Sequence, residues 1–327
     1  MTEPVVVGLD VGSSSARAVA VTRSGAVVTS ATAGYPPDDL AIGEADPASW
    51  LVGAAEAIGG LDVEPVAICI GGQGPTTVAA TGERALTFRH QAGAADGPPD
   101  QHFSQVAVLR ETFGDHIQPR QLWDWMTARL GGRDDSQSLW PGSGPLEGFG
   151  EPIAVGSAVG ETNGEHGIPG GITLAAGAND AYMTAWGCGI DVPGKGFDPG
   201  GTTGGLGVAV RTEDHPDALT FGMASHVPGV YIIGGPVAAH GAMLDWWSQV
   251  TGRGVSELLD LAADSPAGAE GVMVLPFLEG ERAPRWNLGL RAEITGLHIS
   301  HGVGAVTRAL LESTAYGLGH IASDLAA

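Results

Sequence analysis

The chain has 327 residues, enough to bury a sizeable core and, by ordinary domain sizes, to hold two domains. Its 37 acidic residues against 15 basic ones give a formal net charge of -22, a surface that repels nucleic-acid phosphates and anionic lipid, so neither is expected as a partner. Cys69 and Cys188 stand in apolar surroundings without a CxxC or Cys/His grouping and are expected to be reduced and buried.

Apolar runs at 5–7 and 18–21 flank Gly8-Leu9-Asp10-Val11-Gly12-Ser13-Ser14-Ser15 and predict a β-hairpin. The start of the chain enters this strand without a basic or apolar leader, so a cytoplasmic protein is expected. Asp46 followed by Pro47 reads as a helix cap with proline at the first helical position, and Trp50, Leu51, Ala54, Ala55 and Ile58 supply an apolar face. Residues 66–70 read as a short buried strand ending in Gly71-Gly72-Gln73-Gly74, so strand, helix and strand alternate as in a parallel α/β fold.

From 84 to 150 the pattern loosens; only 119–130 has helical spacing, and the segment is expected to be peripheral with a weak core. Residues 173–177 predict a strand that delivers Ala178-Asn179-Asp180 to a helix over 181–187. Asp198-Pro199-Gly200-Gly201-Thr202-Thr203-Gly204-Gly205 then repeats the composition of the first hairpin tip and leads into a strand-like run at 206–210. Helices are expected over 238–250, 256–263 and 305–325, and a strand over 272–277. The uncharged stretch between Asp217 and Asp245 holds Pro228, Pro236 and five glycines, which argues against a membrane span.

The two hairpin tips carry the chemistry. Their glycines permit tight turns whose backbone N–H groups close on an oxyanion, and their hydroxyls add donors. Used twice, the device implies two similar lobes with a polyphosphate between the tips. Asp10 would oppose that phosphate unless a divalent cation, magnesium, sat between them; the alternative is an aspartate that bonds its own turn. Asp180, at a strand end before a helix, suits a base that takes a proton from a substrate hydroxyl, but Asn179 and Asp180 also suit a helix cap. The GxxxxGK at 189–195 lacks the Ser or Thr of a phosphate loop, and His298, His301 and His320 lack partners for a metal set.

In order along the chain, these stretches resemble the FGGY carbohydrate kinases of the sugar kinase, actin and chaperone ATPase superfamily. The first hairpin tip resembles that family's first phosphate motif, Gly43-Glu44-Ala45-Asp46-Pro47-Ala48-Ser49-Trp50 its entry to the first helix, and Ile70-Gly71-Gly72-Gln73-Gly74-Pro75-Thr76 its sugar-pocket loop. Ala176-Gly177-Ala178-Asn179-Asp180 is similar to the segment bearing its base, Gly201-Thr202-Thr203-Gly204 to its second phosphate motif, and 275–287 with 296–312 to xylulokinase-like members.

The resemblance implies two ribonuclease H-like lobes, an N-terminal sugar-binding lobe over 1–170 and a C-terminal nucleotide-binding lobe over 171–327, acting on ATP with magnesium and a small sugar or polyol, most plausibly a ketopentose such as xylulose. It makes Asp180 the base and Asp10 the magnesium residue. Gly12, Ser13, Ser14, Gly201, Thr202, Thr203 and Gly204 become the phosphate ligands, and Gln73, Gly74 and Asp180 the substrate contacts. Two departures stand out. Phe88-Arg89-His90-Gln91-Ala92 replaces a Trp-x-Asp-x-Arg stretch, and the residues to Ala327 contain no Gly-Gly-Gly adenosine segment. The expectations that follow are a truncated second lobe, a weakly held adenine, and a partner or second copy covering the helices at 256–263 and 305–325. A non-catalytic sugar-binding module is the rival reading.

Overall fold

The computed structural model describes residues 3–92, 100–139, 144–201, 204–211, 213, 221–224, 227–237, 240–287 and 289–326. Val5–Val11 (β1) and Ser15–Thr22 (β2) form the expected antiparallel hairpin, and Val27–Gly34 (β3) pairs on the far side of β2. Period-two alternation turns Val7, Leu9, Val11, Ala16, Ala18 and Ala20 to a buried face.

After Glu44–Ala45 (β4) comes Pro47–Gly59 (α1), whose start is fixed locally: the Asp46 carboxylate accepts from Ala48 N at 2.9 Å, and Pro47 has no N–H to satisfy. Trp50, Leu51, Ala54, Ala57 and Ile58 lie on one side of α1 and are buried with the hairpin residues in one core. Trp50 meets Trp125 edge-on, ring centroids 6.4 Å apart.

Pro65–Gly72 (β5) returns parallel to β1. Thr77–Ala79 (β6), Ala85–Leu86 (β7), Asp100–Phe113 (α2), Pro119–Gln121 (β8), Leu122–Arg129 (α3), Ser136–Leu139 (β9), Glu151–Ala154 (β10), Ala158–Glu161 (β11) and Thr173–Ala175 (β12) follow, then Asp180–Gly187 (α4). The main sheet runs β11-β12-β5-β1-β2-β3, and β4-β7-β6-β8 form a second sheet.

The described parts of 84–150 therefore hold more regular structure than their composition predicts. Helix α2 is absent from the sequence reading because most of the face it buries is polar: Gln101, His102 and Gln105 share it with only Val106 and Leu109. Hydrogen bonds replace apolar contact. Gln105 Nε2 donates to Thr87 O at 3.0 Å, Thr77 Oγ1 donates to Gln105 Oε1 at 2.7 Å, and Gln101 Nε2 donates to Phe88 O at 3.0 Å. Burial lowers His102 to about 4, so its ring is neutral beside Thr77. Residues 119–121 pair as a strand with β6, and the helix expected over 119–130 starts only at Leu122.

Two compact units divide the chain, Met1–Thr184 and Ala185–Ala327. The sequence boundary at 170/171 lies too early because β12 pairs parallel with β5 and completes the first unit's sheet. In the second unit Gly196–Phe197 (β13), Gly205–Arg211 (β14), Phe221–Ala224 (β15) and Val230–Pro236 (β16) form a sheet ordered β13-β14-β16-β15. Gly241–Thr251 (α5), Val255–Ala263 (α6), Met273–Leu275 (β17), Glu293–Thr295 (β18) and Val303–Leu325 (α7) follow, with Met243, Val272, Val274, Ala305, Val306, Ala309 and Leu310 buried together. Among the described residues no helix is long and apolar enough to cross a membrane. Cys69 is largely buried, its thiol pushed up to about 11 by desolvation; Cys188 is exposed, contrary to the sequence reading, because it follows the last turn of α4.

Candidate active site

Three adjacent parallel strands, β12, β5 and β1, end on the same edge of the first unit's sheet, where α/β folds place their ligands. Register fixes what reaches that edge. Asp10 stands beside Gly71, and Gly72 bridges to Asn179 and donates its N–H to Ala178 O at 3.3 Å. The strand ends thus gather Asp10, the Gln73-Gly74 loop and Asp180, three sequence candidates from widely separated stretches.

The first tip is closed by Gly12 N donating to Ser15 O at 3.1 Å. Gly12 O accepts from Gln73 Nε2 at 3.1 Å and from the Tyr35 hydroxyl at 3.2 Å, tying the tip to the Gln73 loop. Ser13 and Ser14 are exposed and, with Tyr35, Trp50, Gln73 and Arg89, line a pocket of about 260 Å³. Gly74 is required by close approach: a Cβ there would lie 2.5 Å from Asn179 Nδ2 and 3.3 Å from the Trp123 ring. Tyr35 and Trp123 escaped the sequence reading as site residues, because an aromatic side chain carries no spacing signal until the fold brings it to the site; Asn179, read there as a cap candidate, also lies against Gly74.

Two carboxyls dominate the electrostatics. Asp180 is raised from 3.8 to about 7, chiefly by desolvation and then by the Asp10 charge, against a lowering hydrogen bond from Ala181 N. Asp10 is also raised by burial, with its cross-strand partner Arg17 opposing. Tyr35 is pushed up by burial and by Asp10. The helix-cap role of this segment is real as well: Ala181 N bonds Asn179 Oδ1 at 2.9 Å and Asp180 Oδ1 at 2.7 Å. That leaves Asp180 Oδ2 outside the cap.

Asp10 Oδ1 is buried without a hydrogen-bond partner among the described residues. An unpaired carboxylate oxygen beside a second carboxyl suits a hydrated divalent cation, hard and oxygen-seeking, so the residues fit magnesium held through its waters. No cluster of three or more metal-ligating side chains occurs among the described residues; His301 Nδ1 accepts from His298 N at 3.0 Å, and His298 Nδ1 bonds Ser300 within the same turn. Lys195 of the GxxxxGK stretch bonds Gly189 O and Asp191 within its own loop, as a chance match would.

In the second unit β13 and β14 form the second hairpin. Gly200 and Gly201 take φ of +50° and +158°, and Gly204 packs against the His240 ring. Thr202 and Thr203 lie outside the described residues. Asp198 and His240, which the sequence reading left without a role, bracket this loop.

Residues 200–327 match the model of the FGGY family of carbohydrate kinases, C-terminal domain. A xylulose kinase of Staphylococcus epidermidis is 29% identical over 167 residues, 50% of this chain and 34% of that protein. Among solved structures, a ligand-bound xylulose kinase from Lactobacillus acidophilus superposes with a TM-score of 0.76 at 21% identity, covering 98% of this chain and 78% of that one. A gluconate kinase from the same organism gives 0.75 at 21% identity over the same shares. The chain spans about a third of the length of the curated relatives it matches. The chain shares the fold of these two solved kinases.

Proposed function

We propose that this chain, a member of the FGGY family of carbohydrate kinases, takes part in ATP-dependent phosphorylation of a hydroxyl on a small sugar or polyol. The observation that carries the reading is the pairing of Asp180 with Asp10 on one sheet edge, with Asp180 raised to about 7. A carboxyl poised near neutrality is ionised often enough to accept a proton and basic enough to hold it.

In this reading Asp180 accepts the acceptor's hydroxyl proton as that oxygen bonds the γ-phosphorus. The bond from the γ-phosphorus to its bridging oxygen breaks, and ADP leaves with the electron pair. Asp180 Oδ1 is engaged by Ala181 N, so Oδ2 is the oxygen that takes the proton. Magnesium held by Asp10 would neutralise charge on the transferring phosphates. Gly12, Ser13 and Ser14 at one tip, and Gly201, Thr202, Thr203 and Gly204 at the other, supply phosphate donors. The Gln73-Gly74 loop orients the acceptor: Gln73 Oε1 is buried with no hydrogen-bond partner among the described residues, an acceptor suited to a sugar hydroxyl.

Likeness to xylulose kinases makes a ketopentose such as xylulose the first acceptor to test. Retention of both carboxylates supports this catalytic reading over the non-catalytic one. The test is ADP release by purified protein with ATP and magnesium over a panel of ketopentoses, aldoses, sugar acids and glycerol. Acceptor-dependent ADP that disappears in Asp180→Asn is expected; no acceptor-dependent release from any compound refutes the proposal.

A further inference from the structure

One carboxylate holds the second glycine loop from within. Asp198 Oδ1 accepts from Gly200 N at 3.1 Å and from Gly205 N at 3.0 Å, so amides at both shoulders of the loop are consumed by the chain itself. Its other oxygen, Oδ2, lies 3.4 Å from His240 Nε2. The His240 ring sits so close to Gly204 that a Cβ added there would fall 2.3 Å from Cδ2, and the next residue, Gly241, donates its N–H to Gly201 O at 2.8 Å. Val237 N also donates to Gly204 O, at 3.0 Å. Glycines have no intrinsic shape, and these contacts fix Gly200, Gly201, Gly204 and Gly205.

The charge arrangement sharpens the point. A carboxylate beside a loop that must receive a polyphosphate repels its ligand unless it is compensated. Two amide donors and an imidazole on Asp198 supply that compensation, and they leave it pointing inward as a template rather than outward as a competitor.

We propose that Asp198 and His240 are positioning residues for the nucleotide's phosphates, acting through loop 200–205 rather than by touching the ligand. This rests on the phosphoryl-transfer reading above. Among the described residues it leaves the amides of Gly201 and Gly204 to face the phosphates, since Gly200 N and Gly205 N are already spent on Asp198.

Calorimetric titration of ATP-magnesium, inorganic tripolyphosphate and the accepted sugar into wild type, Asp198→Ala, Asp198→Asn, His240→Ala and His240→Gln tests the idea. The two alanine variants are expected to weaken ATP and tripolyphosphate alike by about tenfold, with sugar affinity and, where turnover is measurable, kcat within about twofold. Asp198→Asn keeps an oxygen for both amides and should return to within about threefold of wild type for the phosphate ligands. Thermal melts of each variant report whether the second unit still folds, and the asparagine and glutamine variants keep the comparison open if an alanine variant does not. Variants that bind both phosphate ligands like wild type overturn the proposal, as does an equal loss of sugar affinity. A wild-type protein that binds neither ATP nor tripolyphosphate overturns the phosphate-loop reading itself, a distinct failure.

Discussion

Asp180→Asn should make the protein more stable and inactive at once. Burial and the neighbouring Asp10 charge hold Asp180 at about 7, while an unfolded chain returns it to 3.8. Between those values the folded state keeps a proton that the unfolded state has lost, so stability falls as pH rises through the window and levels off above it. At about 1.36 kcal/mol per pH unit the cost of ionising this group in the fold reaches about 4 kcal/mol, and partial solvent access of the side chain reduces the expected value to about 2 kcal/mol. Asparagine does not titrate, occupies the same volume, and keeps an oxygen for Ala181 N. Urea unfolding of both proteins at pH 4 and pH 8 should therefore show little difference at the lower pH and the variant more stable by about 2 kcal/mol at the higher. In the same variant, acceptor-dependent ADP release should drop by about 100- to 10,000-fold, and wild-type kcat/KM should climb as pH passes through about 7. A stability difference that does not change with pH would sink the reasoning, since it would mean that Asp180 ionises in the fold as easily as in water.

Asp10→Ala should weaken magnesium-dependent nucleotide binding more than sugar binding; because it removes the like charge beside Asp180, the acid limb of any residual activity should also move to lower pH, both readable by titration with and without magnesium. Gly74→Ala pushes a methyl group into Asn179 and Trp123 and should raise the acceptor KM by about tenfold while leaving the ATP KM unchanged in steady-state kinetics. Trp50→Ala empties the core under α1 and should cost about 3–5 kcal/mol in denaturant unfolding. Gln105→Leu strips partners from Thr77 and from the Thr87 carbonyl and should cost about 1–3 kcal/mol by the same measurement, which a merely peripheral segment would not show.

What was legible from the residues alone were features whose cause is local. Asp46-Pro47 starts α1 because a carboxylate and a missing N–H satisfy the same few backbone groups wherever they occur. Alternating apolar residues around Gly12 make a hairpin because pairing across a tight turn depends on a few adjacent positions. Helix α2 was not legible. Its buried Gln101, His102 and Gln105 count as polar in any periodicity, and only partners from β6 and the 87–88 backbone make them a core.

The candidate site divides the same way. The sequence by itself determined which residue types could serve: Asp10 and Asp180 as carboxylates, Gln73 and Gly74 in a loop, glycines at two tips. Whether Asp180 was a base or only a cap was undecidable there, since a cap needs nothing beyond its own helix end. Tertiary structure supports the proposed base by laying β12, β5 and β1 parallel, so that positions 10, 73 and 180 share one edge and burial acts on both carboxyls together. It likewise turned Asp198 and His240 from unremarked residues into the frame of a loop. The physical reason is that desolvation and charge coupling act through space, over a few ångströms that the chain reaches only by folding.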